Sequence, residues 1–329
     1  MVVENFGALP DGKMVQKITL GSADLRAEIL TFGAVIRDLR LSGHDLPLVL
    51  GLNSAADYAT HSPYFGAIAG RCANRIAQGR FRLDGQDYQL ALADGARHHL
   101  HGGPQGFSQK IWKLAGYGED FVTLTLCAPA GEGGYPGTLR ASCTYRLVAR
   151  SLVCELTATT DAPTLVNLAL HSYFNLDGSA TIDGHRLQIF SDHITATDDE
   201  RIPTGRLKPV RNTMRDFRQM REIGSQPADD NYCLAAGRYT SPQLAARVAS
   251  AAVSMAVYST EPGIQFYTAD HIDLPAQGLD GRRYSARAGL CLEPQFWPDA
   301  INHAHFPQPV LRPGDTYRQI TRYEFTARS

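Results

Sequence analysis

The chain has almost no net charge. Its 32 Lys and Arg offset 33 Asp and Glu, leaving a formal −1 over 329 residues. No basic stripe for nucleic acid and no polybasic patch for a membrane surface is visible, so neither partner is expected. No apolar run approaches the length needed to span a bilayer. The opening Met1-Val-Val-Glu-Asn-Phe lacks a basic segment followed by an apolar stretch. No signal peptide is therefore expected, and a cytoplasmic location is. Paired cysteines are missing as well. Cys72, Cys127, Cys143, Cys154, Cys233 and Cys291 are scattered, and none falls in a Cys-x-x-Cys pair. Reduced thiols are expected rather than disulfides or a zinc knuckle, with Cys143 and Cys154 at inward positions of strands.

Helical periodicity is scarce. Met214–Ile223 carries Met214, Phe217 and Met220 at roughly helical spacing, which predicts two or three turns, and Asn53–Tyr58 predicts one. No fixed repeat, low-complexity tract or composition break divides the chain, so residues 1–329 read as one domain.

What is present is a period of two. Leu139, Ala141, Cys143, Tyr145 and Leu147 alternate with mostly polar residues, and Leu152, Cys154 and Leu156 repeat the pattern after a turn near Ala149-Arg150. Phe121–Leu126 and Val253–Tyr258 read alike. Asp84-Gly85 and Asp183-Gly184 are hairpin signals. Many short strands with frequent turns predict an all-β sandwich or barrel, not alternating βαβ units.

The stretch Pro163–Gly178 stands out. It begins as a strand through Leu165, Val166, Leu168 and Leu170, then delivers His171, Ser172, Tyr173 and Asn175 before an Asp177-Gly178 turn. A histidine at a strand exit places a titratable group at the rim of a rigid scaffold, although a satisfied core histidine would fit the same pattern. Gly289–Asp299 is a second such stretch: Glu293 follows an apolar strand and is locked by Pro294. Burial there would raise its pKa and make it a better base.

Four further segments carry candidate chemistry. Gly70–Ala77 is a Gly-led turn with Arg71, Asn74 and Arg75, and arginine forks suit sugar hydroxyls or a carboxylate. His98, His99 and His101 raise a metal site, but no carboxylate or cysteine accompanies them, and no metal is expected. Asp229-Asp230-Asn231-Tyr232 lacks the spaced oxygens of a calcium loop, and turn capping is its plain reading. Gln265-Phe266-Tyr267 offers aromatic faces that fit either a pyranose or the core.

Together these stretches resemble the aldose 1-epimerase (galactose mutarotase) family. The resemblance rests on Gly-Arg-x-Ala-Asn-Arg-Ile-Ala at 70–77, Leu-His-Gly-Gly at 100–103, Gly-Tyr-Pro-Gly at 134–137 and His-Ser-Tyr-Phe-Asn-Leu at 171–176. Ile-Pro-Thr-Gly at 202–205, Thr-Glu-Pro-Gly-x-Gln-Phe-Tyr at 260–267 and Leu-Glu-Pro-Gln at 292–295 extend it over nearly the whole chain. It implies a large antiparallel β-sandwich of the galactose mutarotase-like kind, with few short helices and an open carbohydrate cleft. It also implies Glu293 as general base and His171 as general acid. His101, Asp229 and Arg75 match sugar-binding positions, with Asn74, Gln265 and Tyr267 further along the pocket. Tyr173, beside His171, joins the binding candidates. One departure stands out: Asp230 occupies a position where the family usually has histidine, which would alter local charge or sugar preference.

Anomer exchange needs one proton acceptor at the C1 hydroxyl and one donor at the ring oxygen, so no cofactor is expected. The implied partner is a monosaccharide, an aldohexose or aldopentose, and the implied assembly a monomer or homodimer. Two alternatives stay open: a non-catalytic sugar-binding or regulatory module, and an epimerase of phosphorylated hexoses, which would want a basic cluster beyond Arg71 and Arg75.

Overall fold

The computed structural model describes residues 2–62 and 64–328; Met1, Pro63 and Ser329 lie outside it. Its frame is two large antiparallel sheets. The larger has nine strands, in the order Lys113–Tyr117, Phe121–Ala128, Leu139–Val148, Ser151–Thr160, Tyr317–Ala327, Val253–Ser259, Gln243–Ala249, Arg186–Ile189 and Arg221–Glu222. The smaller has six: Tyr173–Phe174, Leu290–Gln295, Gly263–Tyr267, Asp229–Cys233, His193–Thr197 and Pro203–Pro209. A four-stranded sheet from Val2 to Leu41 lies beside them.

The period-two segments became strands because alternate residues have a core to enter. Cys154, Leu156, Tyr323 and Phe325 of the nine-stranded sheet share one apolar cluster with Phe174, Leu290, Leu292, Ile264 and Phe266 of the six-stranded one. Phe174 sits 5.1 Å from Tyr323 and 6.5 Å from Phe325, ring to ring. The result is the all-β sandwich expected from the alternation. All six cysteines are free thiols, and Cys143 and Cys154 are buried as their phase required.

Local readings met mixed outcomes. Asp84-Gly85 does turn a hairpin, pairing Leu83 with Gln86. The helix near Asn53 runs over Ala55–His61, capped by Ser54, whose side chain accepts from the Asp57 amide at 3.0 Å. Met214–Ile223 is not helical. Arg221 donates to the Asp216 carbonyl at 2.8 Å, and Asp216 binds the Asn212 amide and Arg218, so side chains take the backbone groups a helix would pair. Asp183-Gly184 makes no hairpin either. The Asp183 carboxylate accepts from Arg287 at 2.6 Å and its carbonyl from the Gly224 amide, and Arg186–Ile189 pairs with distant strands instead.

Candidate active site

Strand alternation builds the site. In Leu290–Gln295 the even residues Leu290 and Leu292 enter the core, so Cys291, Glu293 and Gln295 face the other way. Neighbouring strands keep the same phase. Gln265 lies opposite Glu293, Tyr267 opposite both Cys291 and Asp229, and Tyr173 opposite Cys291. One face of the six-stranded sheet thus carries Tyr173, Glu293, Gln265, Tyr267 and Asp229 as adjacent side chains. His171 ends the strand Ala169–His171, two residues before Tyr173.

The opposite wall comes from two loops. Arg75 pairs with Leu100, which brings Asn74 and His101 together. The Asn74 amide donates to His101 Nδ1 at 3.1 Å, so the neutral ring carries its proton on Nε2. Gly102 follows with φ +93°, and a Cβ there would meet the Gly70 carbonyl oxygen at 1.6 Å, so only glycine lets these two loops close.

All nine residues expected from the sequence line one cleft of about 200 Å³: Asn74, Arg75, His101, His171, Tyr173, Asp229, Gln265, Tyr267 and Glu293. Tyr64, Leu100, Arg201 and His271 also line it and were missed. Arg201 directly precedes the Ile-Pro-Thr-Gly motif, so its signal was adjacent; Tyr64 and His271 sit in no motif that marked them. The three-histidine run disperses. His98 Nδ1 accepts from the Gln78 amide, His99 bonds the Ala91 carbonyl and the Tyr135 hydroxyl, and only His101 reaches the cleft. Arg71 turns away, its guanidinium donating to the carbonyls of Ala128, Pro129, Pro136 and Gly137.

Polar side chains along the cleft are mutually fixed. Asn74 donates to Gln265 Oε1 at 3.1 Å, and Gln265 donates to Asp229 Oδ1 at 2.7 Å. Arg201 donates to Asp229 Oδ2 at 2.5 Å and to His271 at 3.3 Å. Arg75 is tied to Asp94 at 2.6 Å. Such a chain holds donors and acceptors rigid before any ligand arrives.

At the centre, His171 Nε2 lies 3.6 Å from Glu293 Oε2. Both side chains are buried, and no described donor satisfies Glu293 Oε2. Burial, reinforced by the Asp229 charge, pushes the Glu293 carboxyl well above its usual range. Burial pulls His171 down to about 4, against the pull of its own backbone carbonyl. His101 is likewise held well below its usual value, by burial and then by His171 and Arg75. A general acid at His171 would suggest a charged imidazolium. In the free site burial favours a neutral ring beside a protonated carboxyl.

A buried carboxyl and imidazole, fenced by fixed hydrogen-bonding groups on the face of an antiparallel sandwich, suit proton transfer on a small polyhydroxyl ligand. A family model described as "Aldose 1-epimerase" matches residues 16–324. A galactose mutarotase of Sus scrofa is 40% identical over 98% of this chain and 97% of its own. An aldose 1-epimerase of Escherichia coli K12 is 34% identical over 99% and 100%. Among solved structures, an aldose epimerase homologue from C. elegans superposes with a TM-score of 0.89 at 30% identity, covering 95% of this chain and 99% of that one. A galactose 1-epimerase from Lactobacillus acidophilus gives 0.86 at 25% identity, over 100% and 99%. The chain belongs to the aldose 1-epimerase family and is an isomerase with mutarotase activity.

Proposed function

We propose that this chain interconverts the α and β anomers of a free aldohexose, with Glu293 and His171 as the two proton-transfer groups. Galactose, named in the mammalian relatives, is the first sugar to try. The observation that carries the reading is the buried pair 3.6 Å apart, with one oxygen of the cleft-lining Glu293 unsatisfied. As carboxylate, Glu293 removes the C1 hydroxyl proton. As imidazolium, His171 protonates the ring oxygen while the C1–O5 bond breaks. Rotation about C1–C2 turns the aldehyde, and the two transfers reverse on closure to the other face.

The neutral pair and the ion pair contain the same single proton, differing only in which residue holds it. Moving that proton from Glu293 to His171 prepares both groups at once, so no proton need come from solvent. His101 presents Nε2–H as a fixed donor beside the pair, and Arg75, Asp229, Gln265 and Tyr267 orient the hydroxyls. The apolar cluster that draws on residues from Ile18 to Phe325 supports reading 1–329 as one domain.

A phosphorylated hexose fits less well. Arg71 is caged by carbonyls, Arg75 is paired with Asp94 and Arg201 with Asp229, so the arginines at the cleft already have acceptors. A non-catalytic binder would have no use for a close buried acid–base pair. Changing Glu293 to Gln should lower anomer exchange by about 10²–10⁴-fold, read by polarimetry on fresh α-galactose, with the circular dichroism spectrum unchanged. Turnover near the parent rate in that variant would remove Glu293 from the chemistry.

A further inference from the structure

The His171 ring lies nearly parallel to two tyrosine rings. Tyr64 lies 5.5 Å away at 18° and Tyr173 5.1 Å away at 22°, with His101 at the ring edge, 5.1 Å away at 67°. Stacking fixes the plane of an imidazole but not which edge faces the cleft. A half-turn about Cβ–Cγ keeps the same plane while exchanging Nδ1 with Cδ2 and Nε2 with Cε1. In the turned ring a C–H would face Glu293, and no proton could pass. The edge contacts must therefore make the choice.

At one edge Nε2 faces Glu293. At the other, Nδ1 lies 3.6 Å from the sulfur of Cys291 and also reaches the backbone carbonyl of His171 itself. Cys291 is fully buried and does not line the cleft. It shares a strand face with Glu293, two residues away, and lies opposite Tyr173, whose side chain hydrogen-bonds to it. The sulfur is thus placed behind the ring, tied to one of the two aromatics that stack on it.

We infer that Cys291 is a positioning residue for His171: its sulfur and the His171 carbonyl accept from Nδ1–H and so keep Nε2 turned toward Glu293 and the sugar. This rests on His171 being a proton-transfer group. One strand then supplies both the carboxylate that exchanges a proton with the sugar and the thiol that aims its partner.

The test compares Cys291→Ala with Cys291→Ser. Alanine removes the acceptor. It should lower kcat about three- to tenfold while KM stays within about twofold, the size expected for one weak hydrogen bond. Serine restores an acceptor and should return kcat to within about twofold of the parent, although both variants lose similar packing. An acceptor at Nδ1–H favours the charged ring, so its loss should move the acid limb of the rate profile to lower pH in the alanine variant alone. In ¹⁵N spectra, the parent His171 should show a protonated Nδ1 and a bare Nε2, and the alanine variant a mixture. Unchanged kcat and pH profile in Cys291→Ala would overturn the inference. So would a serine variant that falls as far as alanine, in step with its melting temperature, because that pattern is packing. If Glu293→Gln and His171→Gln keep activity, the catalytic reading itself has failed; if they abolish it while Cys291→Ala does nothing, only this inference has.

Discussion

Glu293 and His171 lie 3.6 Å apart in a space that favours neither charge. Burial raises the carboxyl and lowers the imidazole, so the two ionisations are pushed apart rather than together. Adding a second proton to the pair is resisted until pH falls toward 4, where His171 takes it. Losing the only proton is resisted well past the usual carboxylate range. In the proposed mechanism the singly protonated pair is the working form, because it alone has both a donor and an acceptor. The profile of kcat/KM should therefore be a bell with an acid limb near pH 4 and an alkaline limb above the ordinary glutamate range. Initial rates of optical-rotation change across a pH series check this. A profile with no acid limb, or one already falling at neutrality on the acid side, would mean that another group sets the rate.

On the strand Asp229–Cys233, the alternation that puts one aspartate in the cleft keeps its neighbour out of it. Asp229 faces Gln265 and Arg201, while Asp230 points to the opposite side and pairs with Arg215 at 2.6 Å. Asp230 does not line the cleft, so the expectation that it tunes the sugar is corrected by the phase of its own strand. Burial raises its carboxyl pKa against the pull of the Arg215 charge. Asp230→Asn removes an ion pair with a half-buried arginine but also a charge that burial disfavours, so stability should change by no more than about 1 kcal/mol. The substitution should leave the ratio of kcat/KM for galactose and glucose unchanged. Thermal melts and paired kinetics measure both quantities, and a tenfold change in that ratio would put Asp230 back at the sugar. The phase rule explains how the site is built, but the motifs of the family resemblance made most of it readable from sequence. Glu293 and His171 were also marked by their places at strand ends, whereas Asn74, Arg75, His101, Asp229, Gln265 and Tyr267 were found through those motifs. Tyr64, Arg201 and His271 were not, because they lie on loops outside the motifs, and loops have no period to mark them.

The whole molecule decides what no single strand can: where the back of the catalytic strand is anchored. An all-β sandwich was legible in the alternation of 139–160 and 253–258. The strand order was not, because which strands pair depends on crossovers joining residues more than a hundred positions apart. Tyr317–Ala327 is the clearest case. It is a central strand of the nine-stranded sheet, between Ser151–Thr160 and Val253–Ser259. Across the core, Gln319 donates to the Pro294 carbonyl at 2.8 Å and Tyr323 to the Leu292 carbonyl at 3.3 Å. These bonds grip the backbone on either side of Glu293. The sandwich therefore clamps the backbone around Glu293, the proposed base, from behind, and the clamp should matter more to rate than to binding. Gln319→Leu keeps a similar volume but removes the bond to Pro294 and one of the acceptors of the Tyr317 hydroxyl, at a cost of about 1–3 kcal/mol. If Glu293 is held by this brace, kcat should fall about three- to tenfold, because small displacements of a reacting group are expensive. KM should hardly change, since the sugar-orienting residues stand on other strands and loops. Ser250→Ala supplies the contrast. Its hydroxyl accepts from the Ala252 and Val253 amides in a turn at the edge of the same core, so it should lower the melting temperature yet leave kcat at the parent value. Equal kcat in both variants, at matched loss of stability, would show that the far sheet supports the fold without aiming the base.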